Sequence, residues 1–110
     1  MYERSRNLFD CHIAGFAYYD GLNVINDLKP GVSVELDAEP DNPHDPYAVA
    51  IYFDGAKLGY IPQAKNNYIS NLIYFGYGGI LESKINCHHP DAYPERQFRV
   101  VIKLRDGRTG

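Results

Sequence analysis

Apolar and polar residues alternate along much of the chain, and a period of two is typical of half-buried β-strands. The alternation predicts six short strands, over residues 8–16, 32–36, 48–53, 57–61, 80–87 and 98–104. In the second of these, we expect Val32, Val34 and Leu36 to point inward and Ser33 and Glu35 to point outward.

Two segments have helical rather than strand spacing. Residues 22–28 place apolar side chains three apart and predict a short helix that ends at Lys29-Pro30-Gly31. Residues 66–74 predict an amphipathic helix whose apolar stripe, which includes Tyr68 and Ile69, belongs to the core.

Glycines mark two further positions. Asp54-Gly55 predicts the hairpin turn between the third and fourth strands. Gly59, inside the fourth strand, indicates a bulge or a close approach of another segment to the backbone. Together these elements predict a mainly β domain, α+β by content, in which six strands curl into a small barrel with one or two flanking helices.

The stretch EPDNPHDPYAVAI, residues 39–51, is dense in turn-forming residues and leads directly into the third strand. Proline fixes the backbone, and Asp and Asn side chains bond to nearby amides. We therefore expect a rigid polar loop that displays Asn42, His44, Asp45 and Tyr47. An ordinary structural turn, in which Asn42 and Asp45 serve only their own backbone, fits the same residues.

Composition narrows the class of protein. The length of 110 residues predicts one domain, with its core over about 8–104, and 45% hydrophobic residues suffice for that core without disulfides or metals. A net charge of −3 argues against a protein that binds phosphate backbones over a broad basic surface. Two cysteines, no apolar leader and no segment of transmembrane length lead us to expect a cytoplasmic protein with reduced thiols.

Three stretches, read together, resemble a known family. They are GFAYYDG at 15–21, EPDNPHDPYAV at 39–49 and LGYIP at 58–62, and their order and spacing resemble those of the HIRAN domain. This family occurs at the N-terminus of some DNA-repair helicases and as small free-standing bacterial proteins. The resemblance extends over about residues 9–104.

The resemblance implies a barrel related to the OB-fold that binds single-stranded DNA at a free 3′ end, in DNA repair or replication-fork processing, with a repair or replication protein as a candidate partner. In a strand, Tyr18 and Tyr19 would point in opposite directions, and the resemblance implies that Tyr18 is the one that stacks on a base. It also implies that the 42–45 loop encloses the terminal sugar, with Asp45 bonding the 3′-hydroxyl. The predicted nucleic-acid-binding residues are Tyr18, Tyr19, Asn42, His44, Asp45, Gly59, Tyr60 and Gln63.

The chain departs from the family pattern at the basic positions. Ala17 and Gln63 stand where the DNA-end binder has basic residues, His44 stands in place of a tyrosine, and Tyr60 replaces a polar ring residue. We therefore expect the end pocket to be retained with fewer phosphate contacts, which lowers affinity and flattens its salt dependence. Other basic residues are candidates to replace these contacts: Lys57, Lys65, Arg96, Arg99 and Lys103.

Three alternatives remain. A protein-interaction module that keeps the fold suits the acidic charge and the ten tyrosines equally well. A zinc site near Cys11 or near Cys87-His88-His89 is less favoured, because the usual ligand spacings are missing. Metal-dependent hydrolysis by Asp41, His44 and Asp45 lacks a supporting catalytic motif, and no nucleotide-binding G-x-x-x-x-G-K-[ST] loop occurs, so we predict no enzyme activity, cofactor or bound metal.

Overall fold

The computed structural model describes residues 5–88, 91 and 97–105, which form two antiparallel sheets of three strands each. In chain order the strands are β1 (Ser5–His12), β2 (Glu35–Ala38), β3 (Val49–Phe53), β4 (Ala56–Tyr60), β5 (Leu81–His88) and β6 (Phe98–Arg105). The α-helix α1 spans Asn67–Tyr74, and short 3-10 helices span Phe16–Tyr18, Asp20–Asp27, Gln63–Lys65 and Gly78–Ile80.

One sheet has the order β1-β6-β5 and the other the order β2-β3-β4. Backbone bridges connect them at two places. Ala14 and Tyr60 exchange hydrogen bonds of 2.8 and 2.9 Å, and the Val34 amide donates to the Ser83 carbonyl at 2.9 Å beside the Ser33–Lys84 bridge. The predicted mainly β class is confirmed. Among the described residues, the six strands form two sheets that are joined at isolated bridges. The predicted six-stranded barrel is therefore not confirmed.

The core lies between the sheets and is almost entirely aliphatic and aromatic. Phe16 and Phe98 have ring centroids 5.3 Å apart, and both are buried with Ile51, Leu58 and Ile102. The predicted alternation on the second strand is confirmed, because Val34 is buried whereas Ser33 and Glu35 are exposed. Burial of this apolar surface supplies the main driving force for folding.

The first strand and the first predicted helix differ from the sequence prediction, because tertiary contacts determine their bounds and type. The first strand ends at His12 rather than continuing to residue 16, because the chain turns at Gly15, whose φ is 74°, into the 3-10 helix that buries Phe16. The predicted helix over 22–28 is a 3-10 helix over Asp20–Asp27. On α1, Ile69 is buried as predicted, but Tyr68 is 84% exposed, so its assignment to the core was wrong.

Candidate nucleic-acid interface

The loop between β2 and β3 is held closed by its own backbone. The Glu39 amide donates to the Ala48 carbonyl at 2.8 Å, and the Ala48 amide donates to the Asp45 carbonyl at 3.1 Å. Inside the loop, Oδ1 of Asn42 accepts from the amides of His44 (2.8 Å) and Asp45 (3.2 Å). This side-chain turn, which the density of Asn, Asp and Pro predicts, fixes where the next side chains point.

Asp45 has one carboxylate oxygen in the loop and one toward α1. Oδ1 accepts from the Tyr47 amide at 2.9 Å, and Oδ2 accepts from Nδ2 of Asn66 at 2.8 Å. Asn66 is 3% exposed, so a buried amide fixes the rotamer of a half-buried carboxylate. Each carboxylate oxygen accepts more than one hydrogen bond, so Asp45 keeps the capacity to accept from a ligand.

A pocket of about 310 Å³ opens beside this carboxylate. Its walls come from the loop, from the end of β4 and the residues that follow it, from the turn near Gly15 and from the residue before α1. The lining residues are Ala14, Tyr19, Asn42, His44, Asp45, Ala48, Tyr60, Ile61, Gln63 and Asn66.

Gly59 shapes the pocket without lining it. Its φ is +150°, and an added β-carbon would overlap the carbonyl oxygen of Ala14 and lie 2.7 Å from Cγ2 of Ile13. The register between β3 and β4 also shifts at this point. The predicted bulge and the predicted close approach are both present, and they bring Ala14 against Tyr60 at the floor of the pocket.

The aromatic side of the pocket is formed by Tyr19 and Tyr60. Their ring centroids are 5.6 Å apart with an interplanar angle of 71°, an edge-to-face arrangement. Nζ of Lys57 lies 4.9 Å from the centroid of Tyr19 and 4.4 Å from that of Tyr60. A cation at such distances is attracted by both rings.

Lys57 is also paired with Glu39 and Tyr60. Its Nζ lies 3.1 Å from Oε2 of Glu39 and donates to Oη of Tyr60, while Oη of Tyr60 donates to Oε1 of Glu39 at 2.8 Å. Partial burial alone would raise the pKa of Glu39, but hydrogen bonds from Tyr60, Asn42 and Lys57 outweigh burial and hold that pKa below its ordinary value. Burial would likewise lower the pKa of Lys57, but its bonds to Tyr60 and Glu39 raise that pKa instead.

Six of the eight predicted residues line the pocket, and two, Gly59 and Tyr18, do not. Tyr19, Asn42, His44, Asp45, Tyr60 and Gln63 line it. Tyr18 does not: it lies in a 3-10 helix rather than in a strand, and its side chain is 80% exposed. The role of each of these residues in binding stays a prediction.

Two residues that shape the site, Glu39 and Asn66, were missed by the sequence analysis. Glu39 reads as an ordinary loop acid, but it joins Lys57, Tyr60 and Asn42. Asn66 reads as a helix start, but its side chain makes no cap and turns to Asp45. Lys57 and Tyr60 lie about twenty residues from Glu39 along the chain, as Asp45 does from Asn66, and local patterns do not contain such partners.

Three of the five candidate replacement cations already have partners. Besides Lys57, Lys65 donates to the Asp10 carbonyl at 3.3 Å, and Nε of Arg99 pairs with the Asp10 carboxylate at 2.8 Å. Lys103 is half-buried on β6. Arg96 lies outside the described residues.

A metal site receives no support from the part of the chain that the structure describes, where no group of three potential ligands converges. Cys11 is 2% exposed, and burial raises the pKa of its thiol to about 11, so it behaves as a small apolar core residue. The side chains of Cys87, His88 and His89 lie outside the described residues. Among the described helices, none has the length and apolar character needed to span a membrane.

The fold is similar to two crystal structures. A structural-genomics target protein from Lactobacillus plantarum matches with a TM-score of 0.73 and 22% identity, over 91% of this chain and 94% of that chain. The HIRAN domain of human HLTF matches with a TM-score of 0.60 and 15% identity, over 93% of this chain and 81% of that chain. At these identities the likeness shows the fold alone.

A search of curated protein sequences found no match. The model of the HIRAN domain family matches residues 7–105, which include the whole pocket and both sheets except the first two residues of β1. The chain therefore belongs to the HIRAN domain family.

Proposed function

We propose that the chain binds nucleic acid in the pocket beside Asp45, and that its preferred ligand is single-stranded DNA with a free 3′-hydroxyl end. The observation that carries this proposal is the oriented, half-buried Asp45 carboxylate in a pocket walled by Tyr19 and Tyr60. Family membership supports nucleic-acid binding in general, and the geometry of the pocket supports the choice of end.

The chemistry of Asp45 favours a hydroxyl over a phosphate. A 3′-hydroxyl donates to the carboxylate in a charge-assisted hydrogen bond, which is among the stronger kinds. A phosphate at the same point would be repelled, so a chain interior or a phosphorylated end binds less well. The volume of about 310 Å³ is at the small end for ligand sites and suits one terminal nucleotide.

The aromatic wall supplies the remaining affinity. A base stacked on an aromatic ring contributes about 1–3 kcal/mol without charge and with little sequence preference. Lys57 and Arg99 are already paired with carboxylates within the protein, and Lys65 donates to a backbone carbonyl. We therefore expect modest affinity that depends only weakly on salt.

Fluorescence polarisation with a short single-stranded oligonucleotide tests the proposal. The wild type should bind a 3′-hydroxyl end at least about tenfold more tightly than a 3′-phosphate end, since one charge-assisted bond is lost and a repulsion is added. Asp45→Asn keeps the shape of the side chain and an acceptor for the Tyr47 amide, and it should remove most of this preference.

Asp41→Asn is the matched control, because it removes the same charge from an exposed position of the same loop outside the pocket. Its preference for the hydroxyl end should equal that of the wild type. Equal binding of both ends by the wild type would refute end recognition, and no binding at low salt would refute the nucleic-acid function.

A second candidate function, a protein-interaction module, is favoured by a separate surface. We call residues 68–77 the aromatic surface: Tyr68, Tyr74, Phe75 and Tyr77 are exposed there, and residues 66–81 contain no charged side chain. Interface cores are depleted in charge and enriched in aromatic residues. Because two copies of this acidic chain would meet there without charge repulsion, a second copy is the occupant that we test.

Sedimentation velocity over a range of concentrations separates the two candidates. An interaction module of this kind should form a dimer that Tyr68→Ser together with Phe75→Ser abolishes, without effect on oligonucleotide binding. If the protein is monomeric at all concentrations, self-association through the aromatic surface is excluded.

A further inference from the structure

Glu39, Lys57 and Tyr60 form a closed hydrogen-bonded triangle behind the aromatic wall. The pairs are Lys57 Nζ with Glu39 Oε2 at 3.1 Å, Tyr60 Oη with Glu39 Oε1 at 2.8 Å, and Lys57 Nζ with Tyr60 Oη. The triangle ties β4 to the loop that carries Asp45.

The triangle extends to the ligand-facing residues on both sides. On one side, the Lys57 ammonium lies against the rings of Tyr19 and Tyr60. On the other, Oε1 of Glu39 accepts from Nδ2 of Asn42 at 3.1 Å, and Oδ1 of Asn42 accepts from the Asp45 amide at 3.2 Å. A continuous set of contacts therefore runs from the rings to the loop around Asp45.

Lys57 has the wrong surroundings for a phosphate contact. Its side chain is only 22% exposed, its charge is matched by Glu39 at 3.1 Å, and it does not line the pocket. A cation neutralised in this way releases no counterion when nucleic acid binds. Its contacts fix neighbouring side chains instead.

We infer that Lys57 and Glu39 are positioning residues, which hold the Tyr19–Tyr60 wall and the Asp45 loop in the binding geometry before the ligand arrives. The inference rests on the proposed function, because it explains how that pocket is preorganised. Preorganisation strengthens binding by reducing the ordering cost on association. It acts on the whole pocket, so it strengthens binding of either type of 3′ end.

Lys57→Met tests this, since methionine keeps most of the apolar stem and removes the ammonium. We expect it to weaken binding of both the 3′-hydroxyl and the 3′-phosphate oligonucleotide by about tenfold, with their ratio unchanged. The slope of log affinity against log salt should stay as in the wild type. A direct phosphate contact would instead lower that slope by about 0.7.

The matched control is Lys84→Met. It removes a lysine whose Nζ lies 3.0 Å from Oε1 of Glu82, and neither of these residues lines the pocket. It should leave both affinities within twofold of the wild type. Thermal melts of each variant establish that the folded fraction is the same. Glu39→Gln is the second variant, and it should also weaken both affinities. When it is combined with Lys57→Met, the loss of affinity should be smaller than the sum of the two single losses, because the two side chains act through one network.

The outcomes separate the inference from the function on which it rests. If Lys57→Met and Glu39→Gln each bind with an affinity within twofold of the wild type, the positioning role is overturned. The preference of the wild type for a 3′-hydroxyl end is not affected by that result. A lower salt slope also overturns it, since Lys57 is then a phosphate ligand. A wild type that binds no oligonucleotide overturns the proposed function and this inference with it.

Discussion

At the scale of single residues, the side chains that shape the loop also face the pocket. Asn42 and Asp45 each bond backbone amides two or three residues ahead, as an ordinary turn requires. Asp45 additionally takes Asn66 as a partner, and Asn42 donates to Glu39. The structural turn and the binding loop, which the sequence leaves as alternatives, are therefore compatible in the same residues.

The sequence predicts the residues of the loop but not their distant partners. Asn42, His44 and Asp45 follow from local turn chemistry together with the family motif, because proline, asparagine and aspartate act on neighbouring amides. Glu39 and Asn66 acquire their roles only when β4 and α1 are folded against the loop. The choice between Tyr18 and Tyr19 also depends on the 3-10 turn, which a strand-based interpretation misplaces.

The Glu39–Lys57 pair predicts a pH dependence of stability. Because the pKa of Glu39 is lowered from its ordinary value of 4.5, its contribution is complete at neutral pH and is lost as pH falls below that value. Because the pKa of Lys57 is raised from 10.5, its contribution is complete below that pH and is lost only above it. The Tyr60 hydroxyl, whose pKa is raised chiefly by burial, is protonated throughout the acid range.

Glu39→Gln should therefore lower the free energy of unfolding by about 1 kcal/mol at pH 7. Urea unfolding of the two proteins in steps from pH 7 to pH 3.5 should show this difference shrinking below pH 4.5, the ordinary pKa of a glutamate. A difference that stays constant over the whole series would mean that the charge of Glu39 contributes nothing to stability.

At the scale of elements, strand alternation is the most reliable sequence signal in this chain. The six predicted strands all exist, and most bounds agree within a few residues. There are two exceptions. The first strand ends at His12 rather than at residue 16, and at residues 32–34 the chain bonds to β5 before β2 begins at Glu35. Alternation identifies the inward face of a segment, but it does not say which neighbour the segment pairs with.

Within β4, Gly59 is the position where close packing constrains the backbone. Gly59→Ala should destabilise the fold by about 2–4 kcal/mol, because the new β-carbon meets Ala14 and Ile13 at a backbone angle that alanine avoids. The free energy of unfolding, measured with urea, checks this.

Gly79→Ala is the control for that measurement, since a β-carbon there meets no atom within 4 Å. It should change stability by less than about 0.5 kcal/mol. Equal effects of the two substitutions would show that β4 does not approach the chain at Ala14 as closely as the structure places it.

At the scale of the whole molecule, the pocket forms where the two sheets are bridged. The Ala14–Tyr60 bridge brings the end of β4 beside the turn that follows β1, and the loop before β3 closes the third side. The aromatic surface around α1 is a separate region that shares no residue with the pocket lining. The two candidate functions therefore make opposite predictions about where a ligand contacts the protein.

The most direct test is a nitrogen-15 NMR titration of the full chain with a short single-stranded DNA that ends in a 3′-hydroxyl. Binding in the pocket predicts shifts of the amide of Tyr19 and of the non-proline amides of 42–48 and 60–66, with the amides of 68–77 unchanged. Shifts confined to residues 68–77, or no shifts at low salt, would contradict the assignment of this pocket as a nucleic-acid end site.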